Sequence, residues 1–286
     1  MKRVIYIGNR SGCLNYFLER TEDFKLVEIF AIHNSPLFNQ LIEKSDIKFT
    51  TINENKVSWD KIKGLLSSNS YDLLISNGCP FIIPITYLRK FNPTAIFLNT
   101  HPTYLPNLRG KTPLNGVLWS DLGFIGATTH LIDDGVDTGN IIYREKFELT
   151  KDIDQGLIYF MSFEFEKIVF RKAMDILRES DYQYAGFKPI EKGSYFNRNS
   201  EVFRIDFSRD TAELVSRKIN SVGMTHLGNE FTLTNGQTYK GHNAEHIYNE
   251  FLLDYYADFA PGSLCLSYSD KVLIKVKDGL LKIAVV

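Results

Sequence analysis

Short apolar runs recur through the first half of the chain, separated by segments of mixed polarity. Val4–Ile7, Leu26–Phe30, Ile47–Thr50, Leu73–Ile75 and Ala95–Leu98 are β-prone, and several are apolar throughout, as strands covered on both faces are. Between them, residues 13–21, 36–44 and 57–68 read as helices. This alternation predicts right-handed βαβ units and a parallel sheet. A helix over 113–121 follows, then strands Ile125–Leu131 and Ile141–Leu149 joined through the turn-rich DDGVDTG. A long helix is predicted over 153–178, with Leu157, Met161, Phe165 and Ile168 along one stripe and Asp152 and Gln155 placed as a capping box.

After Arg178 the pattern changes. DYQYAGFKPIEKGSYFNRNS is polar, aromatic and rich in turn formers, which predicts a linker near 180–200. Beyond it, a helix capped by Asp210 with Glu213, carrying Leu214, Val215 and Ile219, stands among short strands at Phe231–Leu233, Ser263–Leu266, Val272–Val276 and Leu280–Ala284. The expected fold is α/β: a mostly parallel, Rossmann-like sheet with flanking helices, followed by a small β-rich, barrel-like C-terminal domain. The corresponding domains are 1–185 and 186–286.

At 286 residues and 44% hydrophobic, the chain has material for one large or two modest cores. Its 33 basic and 34 acidic residues leave a net charge of -1, which gives no overall basic field for a polyanion. Cys13, Cys79 and Cys265 are far apart and odd in number, which suits a reducing cytosol better than a disulfide framework. The apolar start before Gly8 is too short for a signal sequence, and no run approaches membrane-spanning length. The expected location is cytoplasmic, with neither membrane nor nucleic acid as partner.

Candidate chemistry begins where the fifth strand turns polar. Asn99 and His101, two residues apart, would project together from its carboxyl end, the edge where ligands bind in open parallel sheets. Pro102 and Pro106 restrict the loop that follows. An isolated NxH reads first as a turn cap and a satisfied rim histidine. The second segment, THLIDDGVDTGNII, brings Asp133, Asp134 and Asp137, and a carboxylate beside an imidazole orients it and favours its charged form. A solvated hairpin turn would also use these residues, and their spacing does not fit a calcium loop. The Gly8–Gly12 turn lacks the dinucleotide-binding spacing, and His242-Asn243-Ala244-Glu245-His246, although it matches HxxEH, reads as surface.

Taken together, Asn99-x-His101-Pro102, Leu105-Pro106-x-x-Arg109-Gly110, Gly126-x-Thr128-x-His130 and Asp134-x-x-Asp137-x-Gly139 resemble the folate-dependent formyltransferase family. The resemblance is strongest over about residues 70–150 and weaker after 200. It implies that Asn99, His101 and Asp137 are catalytic, and that Gly78, Phe81, Ile82 and Ile83, with Asp133 and Gly135, line the site of 10-formyltetrahydrofolate, a co-substrate; no metal is required. Asn99 and His101 would donate hydrogen bonds to the formyl oxygen. Tyr104 and Arg109 are the candidates for the acceptor, with loop packing as the competing role. Transfer-RNA formyltransferases carry a long basic insertion after the second strand, where this chain has only Ala31–Leu37. The family-level expectation is therefore formyl transfer to a UDP- or dTDP-linked aminodeoxy sugar, as in surface-glycan biosynthesis, with a methionyl-tRNA formyltransferase and a noncatalytic folate- or nucleotide-binding protein as alternatives. A homodimer is compatible with the same resemblance.

Overall fold

The computed structural model describes every residue except Ser45 and Thr225, and the backbone but not the side chain of Ser200. The chain forms two compact units that interleave along the sequence: residues 1–111, 125–147 and 161–195 in the first, and 112–124, 148–160 and 196–286 in the second.

The first unit opens with β1 (Lys2–Gly8), α1 (Leu14–Leu18), β2 (Phe24–Ile32), α2 (Pro36–Glu43), β3 (Thr50–Ile52), α3 (Lys56–Ser68), β4 (Leu73–Asn77), α4 (Ile85–Leu88) and β5 (Ile96–His101). Next in the chain come α5 (Asn115–Trp119), which belongs to the second unit, then β6 (Phe124–Leu131), β7 (Ile141–Glu148) and the 25-residue α6 (Gln155–Glu179). The seven strands form one sheet in the order β3-β2-β1-β4-β5-β6-β7, parallel from β3 to β5 and antiparallel where β6 joins β5.

Because successive strand residues face opposite sides, the unbroken apolar runs feed two cores. Val4 and Tyr6 pack on one side with Leu14, Phe17, Leu37 and Phe170. Ile5 and Ile7 pack on the other with Ile62, Leu66, Leu88 and Phe97. Burying side chains of this size stabilises the fold by roughly 1.5–3 kcal/mol each. Helix starts follow local chemistry: Ser35 Oγ accepts from the Phe38 amide with Pro36 in the first turn, and Asn55 Oδ1 accepts from the Ser58 amide.

The second unit holds α7 (Ser200–Phe203), α8 (Ala212–Asn220), β8 (Asn229–Thr232), β9 (Thr238–His246), α9 (Glu250–Tyr255), β10 (Leu264–Tyr268), β11 (Lys271–Val276) and β12 (Gly279–Val285). Its strands form an antiparallel sheet in the order β10-β11-β12-β9-β8. Val215 and Ile219 of α8 close its core with Phe231, Ile274, Leu281 and Ile283.

Several local expectations are corrected. The third strand is Thr50–Ile52 rather than Ile47–Thr50, because pairing with β2 starts at Thr50, while Ile47 and Phe49 pack against the core from the preceding loop. Asp154, not Asp152, caps α6, accepting from the Leu157 amide at 2.8 Å. Thr211, not Asp210, caps α8; Asp210 instead binds the buried Lys218 ammonium at 2.6 Å. The HxxEH string forms the end of β9, paired with β12; Asn243 and Glu245 are exposed, as a surface reading expects, and Ala244 alone of the five is buried. Residues 180–195 do not form a free linker. Phe187 bridges Ile141, Tyr195 bridges Arg109, and Ser194 exchanges backbone hydrogen bonds with Pro106 and Arg109.

Candidate active site

β5 ends in Asn99-Thr100-His101, and its pairing with β6 places Asn99 opposite His130 and His101 opposite Thr128. Period 2 puts Asn99 and His101 on one face, and a directly opposed residue shares its partner's face, so His130 joins them. Thr100 points the other way, its hydroxyl 3.0 Å from that of Thr129. Three side chains are thus gathered by strand register alone.

The fourth arrives from the loop between β6 and β7. Asp137 lies with one carboxylate oxygen, Oδ1, 3.6 Å from His130 Nε2 and 3.4 Å from Asn99 Nδ2, and the other, Oδ2, 3.6 Å from His101 Nδ1. Oδ2 also accepts from the Gly110 amide at 3.0 Å. Asp137 adopts a left-handed backbone (φ 53°), a conformation that costs a non-glycine residue energy and persists only where the surroundings impose it. Those surroundings are on view. Asp133 Oδ1 accepts from the Gly135 amide at 3.1 Å and the Thr138 hydroxyl at 2.6 Å, and Asp134 accepts from the amide and hydroxyl of Thr86 at the start of α4.

Partners assign the protons. His101 Nε2 lies 3.0 Å from the Leu108 carbonyl, which can only accept, so Nε2 carries hydrogen and the neutral ring offers a bare Nδ1 toward Asp137. His130 Nδ1 lies 2.7 Å from the Leu131 carbonyl, which leaves its Nε2 to accept from Asn99 Nδ2 at 3.1 Å. Both amide hydrogens of Asn99 therefore have internal acceptors, His130 and, more weakly, Asp137. This differs from the expected arrangement, in which Asn99 and His101 turn their donors directly on the formyl oxygen.

Burial pushes the His101 pKa below its ordinary value against the opposing pull of Asp137 and the Leu108 carbonyl, so the ring is neutral near pH 7. Burial acts on Asp137 in the raising direction. The pull of the neighbouring imidazoles in their protonated form, with the Gly110 amide, outweighs it and holds the carboxyl well below the usual carboxylate range. The side chains of His101 and His130 are 6% and 2% exposed, Asp137 is 13% exposed and Asn99 is half-buried, so Asn99 and Asp137 form the accessible front of the cluster.

Loop 102–110 is fastened from both sides. Thr128 Oγ1 accepts from the Leu105 amide at 2.9 Å and donates to the Thr103 carbonyl at 2.8 Å, and Ser194 Oγ accepts from the Leu108 amide at 2.9 Å. A Cβ at Gly126 would meet the Glu145 carbonyl oxygen at 2.4 Å and Tyr104 Cβ at 3.1 Å, so only glycine admits this approach. Arg144 and Lys146 stand over the Tyr104 ring, 4.3 and 5.2 Å from its centroid. Arg109 is half-buried; its Nε is buried with no hydrogen-bond partner, and its guanidinium packs beside Gly193.

The 77–84 loop leaves the end of β4, next to β1. Gly78 has φ 74° and lies on the side chains of Asn9 and Arg10. Phe81 stacks on Trp59 with ring centroids 4.7 Å apart, Ile82 is 65% exposed, and Ile83 is buried in the core that holds Phe97. Among the described residues, no group of three or more histidine, cysteine, aspartate and glutamate side chains is arranged to hold a metal ion, and no helix is long and apolar enough to cross a membrane.

Residues 18–174 match the family model described as formyl transferase. The chain belongs to the folate-dependent formyltransferase family. Among curated relatives of this formyltransferase chain, a methionyl-tRNA formyltransferase of Agathobacter rectalis is 26% identical over 216 residues, covering 68% of the chain and 66% of the relative. The match thus spans just under two thirds of that relative's length. A methionyl-tRNA formyltransferase of Clostridium tetani is 20% identical over 288 residues, covering 98% and 90%. Among solved structures, WlaRD, a sugar 3N-formyl transferase studied with dTDP and 5-N-formyl-THF, matches with a TM-score of 0.71 at 17% identity, covering 100% of this chain and 97% of that one. The N-formyltransferase of Helicobacter canadensis, in complex with folinic acid and dTDP-3-aminofucose, matches with a TM-score of 0.70 at 17% identity, covering 100% and 99%. These structural likenesses establish the fold.

His130 is the functional candidate to which the sequence reading gave no role. Its signal was present in the alternation Gly126, Thr128, His130, which marks one face of a strand. Only the β5–β6 register ties that face to Asn99.

Proposed function

We propose that this protein transfers the formyl group of 10-formyltetrahydrofolate to the amine of a nucleotide-linked aminodeoxy sugar. The observation that carries this reading is the convergence of Asn99, His101, His130 and Asp137 at one rim of the sheet, with a neutral imidazole buried behind an ionised carboxylate. In the reaction, the amine nitrogen attacks the formyl carbon, the carbonyl electrons move to oxygen, and collapse of the intermediate breaks the bond to N10 of the folate. The proton lost by the amine passes to His101 Nδ1, with Asp137 supporting the resulting cation, and N10 leaves with the proton that His101 gives up. The formyl oxygen competes with Asp137 for one hydrogen of Asn99, while His130 holds the other and fixes the amide plane. Such a donor contributes roughly 2.7–4 kcal/mol to the transition state.

Gly78, Phe81 and Ile82, with the loop that Asp133 and Gly135 shape, are assigned to the folate side; Ile83 supports them from the core. Tyr104 and Arg109 are assigned to the acceptor side. The sugar assignment is supported by the structural likeness to the two sugar N-formyltransferases over the full length of each chain, and by the short Ala31–Leu37 segment. Between residues 196 and 286, acidic residues slightly outnumber basic ones, a poor composition for gripping tRNA. The reaction is assigned to the cytoplasm.

Methionyl-tRNA formylation is a second reading, favoured by the names of the curated relatives. Incubation with 10-formyltetrahydrofolate and either dTDP- and UDP-aminosugars or initiator methionyl-tRNA separates the two. Tetrahydrofolate release with a sugar nucleotide is expected, and release with the tRNA alone would overturn the sugar assignment.

A further inference from the structure

The crevice between the carboxyl ends of β1 and β4 is the switch point of the sheet, since the chain runs from β1 to β2 on one side and β4 joins β1 on the other. It contains a charged pair that the chemistry above does not use. Arg10 Nη1 lies 2.6 Å from Glu166 Oε1, with the two side chains 17% and 2% exposed. The rest of the guanidinium is also fixed: Nε donates to Asn9 Oδ1 at 3.3 Å, and the Phe163 ring lies 4.9 Å from the guanidinium carbon. The backbone amides of Asn9 and Arg10 point at the Asn77 carbonyl, at 3.2 and 3.4 Å.

Gly78 rests on this assembly. A Cβ there would lie 1.9 Å from Asn9 Oδ1 and 2.7 and 2.9 Å from Arg10 Nε and Nη2. The guanidinium is therefore the floor under Gly78, at the start of the 77–84 loop, and Glu166, from α6, fixes where that floor stands. We infer that Arg10 and Glu166 are positioning residues, which set the 77–84 loop for the formyl donor without touching the reacting atoms. This rests on the reading of that loop as the folate side of the site. A planar guanidinium held at Nε, Nη1 and one face has a single orientation, which a lysine could not reproduce. Removing Arg10 alone would leave Glu166 buried without its counter-charge, so loss of folding could mimic loss of positioning.

The experiment uses Arg10→Met/Glu166→Gln, which removes both charges together, beside Glu166→Gln alone, which keeps an acceptor for Nη1. For each folded variant, amide hydrogen exchange across residues 78–83 is followed by mass spectrometry, and KM for donor, KM for acceptor and kcat are measured separately. Faster exchange in 78–83 and a donor KM raised on the order of tenfold in the double variant, with acceptor KM unchanged and Glu166→Gln intermediate, is the expected result. Unchanged exchange in the loop, or an acceptor KM that moves in place of the donor KM, overturns it. Should the wild type form no product with any aminosugar nucleotide, the sugar reading fails, while the exchange measurement still decides whether the pair positions the loop.

Discussion

Two carboxylates in the first unit, Asp137 and Glu166, are 13% and 2% exposed, both largely withdrawn from solvent, and are driven in opposite directions. Burial alone would raise both. Asp137 receives a backbone amide, a side-chain amide and two imidazoles, and its carboxyl is held well below the usual range. Glu166 has one guanidinium and the Asn77 amide against full burial, and its pKa is pushed up to about 7 from the ordinary 4.5. The difference lies in how many oriented N–H groups and potential cations face each carboxylate, together with the deeper burial of Glu166. Asp137 is built to stay charged beside a neutral base; Glu166 is held close to the point of losing its charge.

The sharpest way to break this comparison is to discharge Asp137. Asp137→Asn keeps the shape and is expected to lower kcat by about 10²- to 10⁴-fold, while calorimetry shows tetrahydrofolate binding largely unchanged. Replacing the ring behind it, His101→Ala, should lower kcat by about 10²-fold or more; unchanged turnover would remove His101 from the catalytic set, and no turnover by either protein would point to a noncatalytic binding protein.

The pH dependence is the next test, smaller in size. A proton acceptor at His101 Nδ1 must be neutral, so kcat should fall as pH drops through the His101 pKa, which burial places below the ordinary 6.5. Asp137 pulls that pKa upward, opposed by His130 and Arg10. A variant that keeps enough activity, such as Asp137→Asn at high enzyme concentration, should show the acid limb moved further toward acid. A limb that stays or moves to higher pH would remove Asp137 as the partner.

Glu166 gives the mildest effect, on stability. Its folded pKa lies above its unfolded one, so its contribution is fully present below about pH 4.5 and is lost as pH rises through about 7. Arg10, Asn77, Cys13 and Tyr6 are the groups around it. Thermal melting across pH 5–8 should show this downward slope in the wild type and a flatter one in Glu166→Gln.

Much of this was legible in the sequence. Unbroken apolar runs such as Val4–Ile7 and Leu73–Ile75 fill two cores, and the NxH and Asp137 motifs meet at the rim. What escaped depends on contacts distant in sequence. β9 was hidden because TYKGHNAEH is mostly polar; it is a strand through pairing with β12 and β8, with Gly241 set close against Ile283 and Phe231. The 180–195 stretch looks like a linker by composition, yet Ser194 fastens the Leu108 backbone whose carbonyl orients His101. Asn99 was readable as an active polar group, but the direction of its amide follows from the His130 tautomer, which the Leu131 carbonyl sets. The Arg10–Glu166 pair spans 156 positions and leaves no local signature.

The most direct test is mass spectrometry of aminosugar nucleotides after incubation with 10-formyltetrahydrofolate and either wild type or Asp137→Asn. The account predicts an N-formylated sugar with the wild type and next to none with the variant over the same time. Equal formylation by both proteins would contradict it.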